Sequence, residues 1–265
     1  MLRAAGLGAL LTLSVATLGC QGATPGSGDE ATTASAPMTT ALTTAPTPEA
    51  EHASTSSPPS GPQPGPSTVP TGASAFRFDA STLDADQRRR MTGVSWRPGC
   101  PVGLDALRLV VVRHWGFDGQ AHDGQLIVHA DAVPAMETAF SKLFEAGFRI
   151  RQIRPIDEFG GDDTASIEAD NTSAFNCRPV TGSANTWSQH AYGRAIDVNP
   201  LENPYVSHGR TSHEGSKPYL DRSQVKPGMI LPSSAATAAF AAAGWKWGGD
   251  WDQPKDLQHF SANGR

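Results

Sequence analysis

From residue 107 onwards, apolar positions cluster in short runs that polar, glycine-containing segments separate. The run at 107–112, LRLVVV, is rich in β-branched residues, and 124–129, GQLIVH, has the same character. Residues 116–119, GFDG, have the composition of a turn. We therefore expect two strands that form a hairpin with a long connection.

Two longer segments have the apolar spacing of helices. Residues 131–146 place apolar side chains three and four positions apart, with Asp131 as a candidate N-cap and Gly147 after the last turn. Residues 234–243, SAATAAFAAA, predict a second helix. Residues 86–90, DQRRR, predict a solvated turn or a short helix.

The other predicted elements are shorter. Alternation over 148–154, FRIRQIR, predicts a third strand, and 191–199 contains a fourth. The polar segments 157–186 and 200–228 are expected to be long loops, the first with a helical turn. Because strands and helices mix without a regular strand–helix–strand order, an α+β fold is favoured over a doubly wound parallel sheet.

The amino terminus predicts export. A basic start precedes an apolar run from Ala4 to Leu18, which is typical of a secretory signal peptide over residues 1–20. Its end resembles a bacterial lipoprotein signal, in which the cysteine after a small residue, here Cys20, is lipidated. Secretion without a lipid is the alternative. The expected location is extracytoplasmic, and a lipid on Cys20 would be the only contact with the membrane.

Residues 21–72 predict a disordered linker. Ala, Gly, Pro, Ser and Thr occupy 40 of the 50 positions from 21 to 70, so this stretch cannot bury enough apolar surface to become ordered. Of the net charge of −5, the linker carries −4 and Arg3 carries +1, which leaves −2 on a domain predicted at 73–265. A nearly neutral domain argues against nucleic acid as the partner.

Two cysteines remain in the predicted domain, Cys100 and Cys177. An exported domain with two cysteines most simply pairs them in a disulfide. Two separate buried thiols are the alternative.

The segment 188–197, SQHAYGRAID, is the first of two clusters with chemical potential. If 193–199 is a strand, a glycine, an alanine and Asp197 share one face, so the Asp197 carboxylate projects from a face with little bulk. His190 lies across a glycine turn, from which its side chain can reach the same point.

The second cluster joins 244–251, GWKWGGDW, to Asp256 and His259. The spacing of this pair predicts that both side chains lie on one face of a single helical turn. His190, Asp197 and His259 are zinc-ligand types that leave a fourth position for water, and Asp256 could take a proton from that water. A single histidine is more often structural, so the hypothesis depends on the joint pattern.

Together the two clusters resemble the zinc D-alanyl-D-alanine carboxypeptidase family. The shared pattern is Ser-x-His-x-x-Gly-x-Ala-x-Asp, then Gly-Trp-x-Trp-Gly-Gly-Asp-Trp and Asp-x-x-His-Phe, and the resemblance covers about residues 98–261. This family includes vancomycin-resistance D,D-carboxypeptidases and phage L-alanyl-D-glutamate endopeptidases, and it shares its fold with the hedgehog signalling domain. The resemblance implies a central antiparallel sheet with flanking helices and long loops.

The resemblance implies roles for four residues. His190, Asp197 and His259 match the ligands of one zinc ion per domain, and Asp256 matches the catalytic base. The implied chemistry is metal-assisted hydrolysis of an amide bond.

Further site residues are less closely defined by the motifs. The family uses an arginine to bind the substrate carbonyl or carboxylate, but its usual motif is absent here. Arg154, in the segment that takes the place of that motif, is the first candidate, and Arg178 is the second. Ser188 and Asp250 are candidates for orienting the ligands, with turn capping as the alternative.

The function expected from the resemblance is hydrolysis of peptide bonds in peptidoglycan stem peptides by a monomeric, D-alanyl-D-alanine carboxypeptidase-like zinc enzyme. One alternative is an L-alanyl-D-glutamate-type endopeptidase. The other is a wall-binding lipoprotein whose zinc is structural. The free carboxylate of Asp256 favours catalysis, because a structural zinc site has no use for a base.

Overall fold

The computed structural model of the chain describes residues 75–180, 182–183 and 185–265. The predicted signal peptide at 1–20, its lipidation site Cys20 and the linker at 21–72 lie outside these residues. Within the described ranges, no helix has both the length and the apolar character that crossing a membrane requires.

An antiparallel three-stranded sheet contains the predicted hairpin. Its strands, in the order β1-β2-β3, are β1 Phe78–Thr82, β2 Leu107–Trp115 and β3 Ala121–His129. The hairpin prediction is confirmed, since β2 and β3 pair along their whole length. Both strands extend beyond their apolar runs, because backbone pairing continues through the residues that follow the run in β2 and precede it in β3.

Helices form in the segments where the sequence predicted helices or a helical turn. The four in the described part of the chain are α1 Ala85–Met91, α2 Val133–Glu145, α3 Asp163–Glu168 and α4 Ala235–Ala242. The side chains of Asp84 and Ser234 cap α1 and α4 by accepting backbone N–H groups. Helix α3 corresponds to the helical turn predicted within the loop 157–186.

Asp131 does not cap α2, contrary to the prediction. It lies in a short 3-10 helix, Ala130–Ala132, and Ala132 is the N-cap residue of α2. The Asp131 carboxylate instead accepts hydrogen bonds from the guanidinium of Arg194, the shortest at 2.6 Å. This ion pair ties the region before α2 to the segment that carries the first chemical cluster.

The remaining strands have two or three residues each. They are β4 Gln152–Ile153, β5 Asn171–Thr172, β6 Ala195–Asp197, β7 Tyr205–Val206, β8 Lys246–Trp247, β9 Lys255–Asp256 and β10 His259–Ser261. A second antiparallel sheet has the order β6-β10-β8, β4 pairs in parallel with β5, and β7 pairs antiparallel with β9. Further 3-10 helices lie at Leu104–Ala106, Ile156–Phe159, Gln189–Tyr192, Glu214–Tyr219 and Gly248–Asp250.

The strands predicted over 148–154 and within 191–199 are shorter than expected. Strand β4 ends before Arg154, whose backbone N–H donates to the side chain of Asn171 in β5 instead of to a backbone carbonyl of that strand. Strand β6 begins late because a 3-10 helix occupies the residues before Gly193. The α+β class is confirmed, and the hedgehog-like arrangement remains a prediction.

The main hydrophobic core joins the first sheet to the strands of the second. Helices α2 and α4 pack against this core, which includes Val110, Val112, Phe140 and Phe240. Phe260 of β10 stacks on Phe240 with ring centroids 3.9 Å apart, and it is fully buried. The buried side chains of the second sheet therefore anchor the strands that carry Asp197 and His259.

The disulfide between Cys100 and Cys177 is present, as predicted. It joins positions 77 residues apart, and the chain-entropy model gives such a crosslink roughly 4 kcal/mol of stability. The guanidinium of Arg97 donates to the carbonyl of Cys177 at 2.9 Å, so two kinds of bond fix the backbone beside Arg178.

The loop after β6 is held by a buried carboxyl group. Glu202 is only 1% exposed, and its side chain accepts a hydrogen bond from the hydroxyl of Tyr219 at 3.1 Å. The Glu202 backbone carbonyl accepts a bond from the guanidinium of Arg222. Burial and the nearby Asp170 carboxyl together raise the pKa of Glu202 to about 8. The folded protein therefore retains a proton on Glu202 at neutral pH.

Stability is expected to fall as the pH rises from 4.5 to 8, because the unfolded chain loses the Glu202 proton in this range and the folded chain keeps it. The free energy of unfolding should decrease by up to about 1.4 kcal/mol per pH unit from this group. Glu202→Gln should remove this part of the slope in urea unfolding, whereas Glu214→Gln, at an exposed position of the same loop, should keep it. Equal slopes for the wild type and Glu202→Gln would contradict the prediction.

Candidate metal centre

Three side chains with metal-ligand chemistry converge between the 3-10 helix and the second sheet. His190 lies on the 3-10 helix Gln189–Tyr192, Asp197 ends β6, and His259 begins β10. The β6–β10 register places His259 directly opposite Asp197. Gly193, with a φ of +65°, ends the 3-10 helix, and a Cβ there would lie 2.6 Å from the backbone nitrogen of His129. A glycine at this position allows the chain to turn from His190 into β6.

The three side chains form a tight, buried cluster. The Asp197 carboxylate lies 3.2 Å from Nε2 of His190 and 3.1 Å from Nδ1 of His259. These two ring nitrogens are themselves 3.2 Å apart. One ligand atom from each residue therefore lies within 4.8 Å of the others, as binding a single ion requires. The three residues that sequence analysis proposed as ligands are thus brought together.

The contacts around the cluster fit a bound cation. Nδ1 of His190 donates to the carbonyl of Ala174 at 2.6 Å, so a neutral His190 directs the lone pair of Nε2 at the cluster. Nε2 of His259 is buried and has no hydrogen-bond partner among the described residues, while Nδ1 faces Asp197. Two imidazoles and one carboxylate form a donor set that suits zinc.

The charge state of Asp197 also fits a ligand. Burial on its own would raise the pKa of this carboxyl, but the charges and hydrogen bonds of His190 and His259 outweigh burial and lower the pKa below its usual value. Asp197 is therefore ionised across the physiological range and supplies a negative charge at the centre of the cluster.

Asp256 and His259 do not lie on a helical turn, so that prediction is wrong. Asp256 belongs to β9, opposite Tyr205, and His259 begins β10. The backbone is extended at both positions because β9 and β10 each pair with a different strand. Both side chains begin close to Gly248. A Cβ at that position would lie 2.9 Å from Cβ of Asp256 and 3.3 Å from Cβ of His259.

The role of Gly248 was not recognised from the sequence. The glycine pair in GWKWGGDW marked the segment as unusual, but which residues approach it depends on long-range strand pairing. A side chain at Gly248 would displace both Asp256 and His259.

Asp256 has an environment that differs from that of Asp197. Its Oδ1 is shielded from solvent and has no hydrogen-bond partner among the described residues. Burial, together with the charge of Asp197, raises the pKa of Asp256 to about 7, while His259 and Arg178 act in the opposite direction. A carboxyl group with a pKa near neutrality is suited to both accepting and releasing a proton.

Arg178 lies beside the metal cluster. The backbone N–H of Asn176 donates to the carbonyl of His190, and that of Ser188 donates to the carbonyl of Arg178, so the two segments run side by side. The Arg178 guanidinium forms an ion pair with Asp163, with Nη2 at 2.9 Å from the carboxylate. Its Nε is buried and lacks a partner within the described part of the chain.

Arg154 lies in different surroundings. Its guanidinium pairs with Glu158 and packs over the ring of Phe159, 5.3 Å from the centroid. It also lines a cavity of about 240 Å³ together with His114 and His122, on the side of β4. Arg178, by contrast, is near enough to lower the pKa of Asp256.

The two candidates for orienting the ligands differ in their contacts. The hydroxyl of Ser188 accepts the backbone N–H of His190 at 3.3 Å, which is the turn-capping arrangement. Asp250 is exposed and lines a cavity of about 450 Å³ near Trp251. The Trp251 ring lies 5.5 Å from that of His259, so this tryptophan forms a wall of the candidate centre.

Comparison with known proteins gives one match. Neither the curated proteins nor the solved structures contain a significant match to the chain. The profile of the D-alanyl-D-alanine carboxypeptidase family matches residues 181–262. The matched segment contains His190, Asp197, Asp256 and His259, and it supports a relationship of this part of the chain to that peptidase family.

Proposed function

We propose that the domain is a zinc-dependent peptidase that hydrolyses peptide bonds in peptidoglycan stem peptides. The observation that carries this proposal is the Asp256 carboxyl group, which has no hydrogen-bond partner among the described residues and lies beside the buried His190–Asp197–His259 cluster. The family match over 181–262 supports the same conclusion. A cluster that served only to stabilise the fold would gain nothing from a buried acid with a raised pKa.

In this proposal, Nε2 of His190, the Asp197 carboxylate and Nδ1 of His259 hold the zinc ion. Zinc, when bound, lowers the pKa of a water ligand to about 7 and polarises the scissile carbonyl. Three protein ligands leave a position open for these groups, which is the arrangement of catalytic sites and not of closed structural ones.

Asp256 acts as the general base and then as the general acid. Its carboxylate takes the proton from the attacking water and returns it to the leaving amine. The pKa of about 7 that burial gives this group suits both transfers.

Arg178 is the proposed binding group for a substrate oxygen. Its segment runs beside the residues around His190, and its Nε is free to donate. Donors aimed at the carbonyl oxygen stabilise the negative charge that develops there during attack. Arg154, the first candidate from sequence, is paired with Glu158 in the separate surroundings described above.

We further propose that the domain acts outside the cytoplasm as a monomer, without nucleic acid as a partner. The disulfide between Cys100 and Cys177 supports an oxidising compartment. A lipid anchor on Cys20 and a linker at 21–72 remain predictions, and together they would place the domain within reach of the wall.

The proposal is tested with purified protein loaded with one equivalent of zinc and a panel of synthetic stem peptides. We expect one bound zinc ion per chain and peptide fragments that mass spectrometry detects, with both lost after chelation and regained on adding zinc. Full zinc occupancy without cleavage of any stem peptide, cross-linked or not, would refute the proposal.

A further inference from the structure

The ion pair between Arg178 and Asp163 affects which substrates the site can accept. This inference rests on the proposed function. Asp163 is in the first turn of α3, where the neighbouring Asp162 caps the helix through Thr164 and Ala165. The Asp163 carboxylate lies 2.9 Å from Nη2 of Arg178, and neither side chain is more than 36% exposed. The Arg178 guanidinium, which is proposed above to bind a substrate oxygen, is therefore already paired with a fixed carboxylate.

Both partners are held by their surroundings. The backbone of Arg178 follows Cys177, whose disulfide, carbonyl and amide are all bonded to the segment 95–100. Helix α3 fixes Asp163 from the other side. The ion pair thus joins two anchored segments, in contrast to pairs between long exposed side chains, which contribute little.

The geometry of the pair limits how Arg178 can bind a carboxylate. A guanidinium chelates a carboxylate with two parallel N–H groups, either Nε with Nη2 or Nη1 with Nη2. Both combinations use Nη2, which already contacts Asp163, so a chelated substrate carboxylate would have to share Nη2 with the Asp163 carboxylate. The single oxygen of a neutral carbonyl can instead accept from one donor, such as the unpartnered Nε, without bringing a second negative charge to Nη2.

The charges around Arg178 also disfavour the binding of a substrate carboxylate. Asp163 compensates the positive charge of Arg178, so the pair attracts a second anion less than a free guanidinium would. A substrate with a free carboxylate after the scissile bond would bring a further negative charge close to Asp163. Repulsion of this kind is a common way in which proteins reject a related ligand.

We infer that Asp163 is a specificity-determining residue that makes the site select peptides in which the residue after the scissile bond carries an amide and not a free carboxylate. The substrate class is then that of an endopeptidase, which cleaves within or between stem peptides. Removal of a terminal D-alanine would be the disfavoured reaction. Asp163 acts through Arg178 and contacts no reacting atom.

The test compares two peptides that differ in one group. Both are acylated stem peptides ending in D-Ala-D-Ala, one with a free carboxylate and the other with a terminal amide, so the same bond is cleaved in each. We expect the zinc-loaded wild type to have at least about a tenfold higher kcat/KM for the amide. Asp163→Asn should lower KM for the carboxylate peptide by a similar factor, and leave the amide peptide nearly unchanged.

Glu168→Gln is the matched control, because Glu168 is an exposed residue of the same helix and the variant changes the net charge equally. It should keep the wild-type ratio between the two peptides. A wild-type preference for the carboxylate peptide, or an equal ratio in Asp163→Asn and the wild type, would overturn the inference while leaving the proposed peptidase function intact.

A binding measurement keeps the inference testable if neither peptide is cleaved. Calorimetry with zinc-free protein would compare acetyl-D-alanine carboxylate with acetyl-D-alanine amide. Tighter binding of the amide by the wild type, with the difference removed in Asp163→Asn, would support the inference. Tighter binding of the carboxylate by the wild type would overturn it. Cleavage of no wall peptide at full zinc occupancy would refute the proposed function separately.

Discussion

The Asp256→Asn protein is expected to bind one zinc ion and to hydrolyse stem peptides about 100-fold to 10,000-fold more slowly than the wild type. The reason is that the amide has the shape of the carboxyl group but cannot accept a proton from water. The buried Oδ1 of Asp256 has no partner among the described residues, so the substitution breaks no hydrogen bond that supports the fold there. The measurement pairs kcat with zinc content in the same preparation.

Asp252→Asn is the matched control for this variant. Asp252 is exposed, lies four positions away in the chain, and loses the same charge when replaced. Its rate should stay within a factor of two or so of the wild type, since surface substitutions have small effects. If Asp256→Asn retained the wild-type rate with zinc bound, Asp256 would not be the base.

The sequence predicted the β2–β3 hairpin of the first sheet, because the six-residue runs at 107–112 and 124–129 are rich in β-branched and other apolar residues that favour strands. It did not predict β1, which lies in a segment of mixed charge. The second sheet, which carries Asp197 and His259, has strands of two or three residues. No periodicity is measurable over so few positions, so the spacing of Asp256 and His259 was assigned to a helical turn although long-range pairing makes it extended.

The site residues likewise divide into those that a local motif predicts and those that only contacts between distant positions bring to the site. His190, Asp197 and His259 could be selected from the sequence because each lies in a motif with small neighbours that leave space around it. The choice between Arg154 and Arg178 could not be made from the sequence, because neither arginine lies in such a motif. The disulfide at Cys177 and the backbone bonds to the residues around His190 bring Arg178 to the cluster, and such contacts between distant positions leave no local pattern. The same holds for Asp163, which pairs with Arg178 across 15 positions of the chain.

Asp197→Asn is expected to abolish the increase in thermal stability that zinc gives the wild type. A ligand present at 1,000 times its dissociation constant stabilises the folded state by about 4 kcal/mol. Asp197 supplies the negative charge of the donor set, and its carboxylate lies 3.2 Å from Nε2 of His190 and 3.1 Å from Nδ1 of His259. An asparagine amide is neutral, so it cannot replace the carboxylate as a ligand that balances the charge of the ion.

Asp256→Asn serves here as the comparison, because it removes one carboxyl group from the same site without removing a proposed ligand. It should retain the zinc-dependent increase in melting temperature that Asp197→Asn loses, with zinc content measured in parallel. A wild-type increase in Asp197→Asn would mean that the ion binds elsewhere in the chain. Loss of the increase in both variants would mean that Asp256 also holds the ion, and a ligand in that position could not act as the free base. Asp197 and Asp256 are thus expected to have different roles, one in binding zinc and the other in proton transfer. Only with different roles would the Asp197 variant lose zinc while the Asp256 variant keeps zinc but loses hydrolysis.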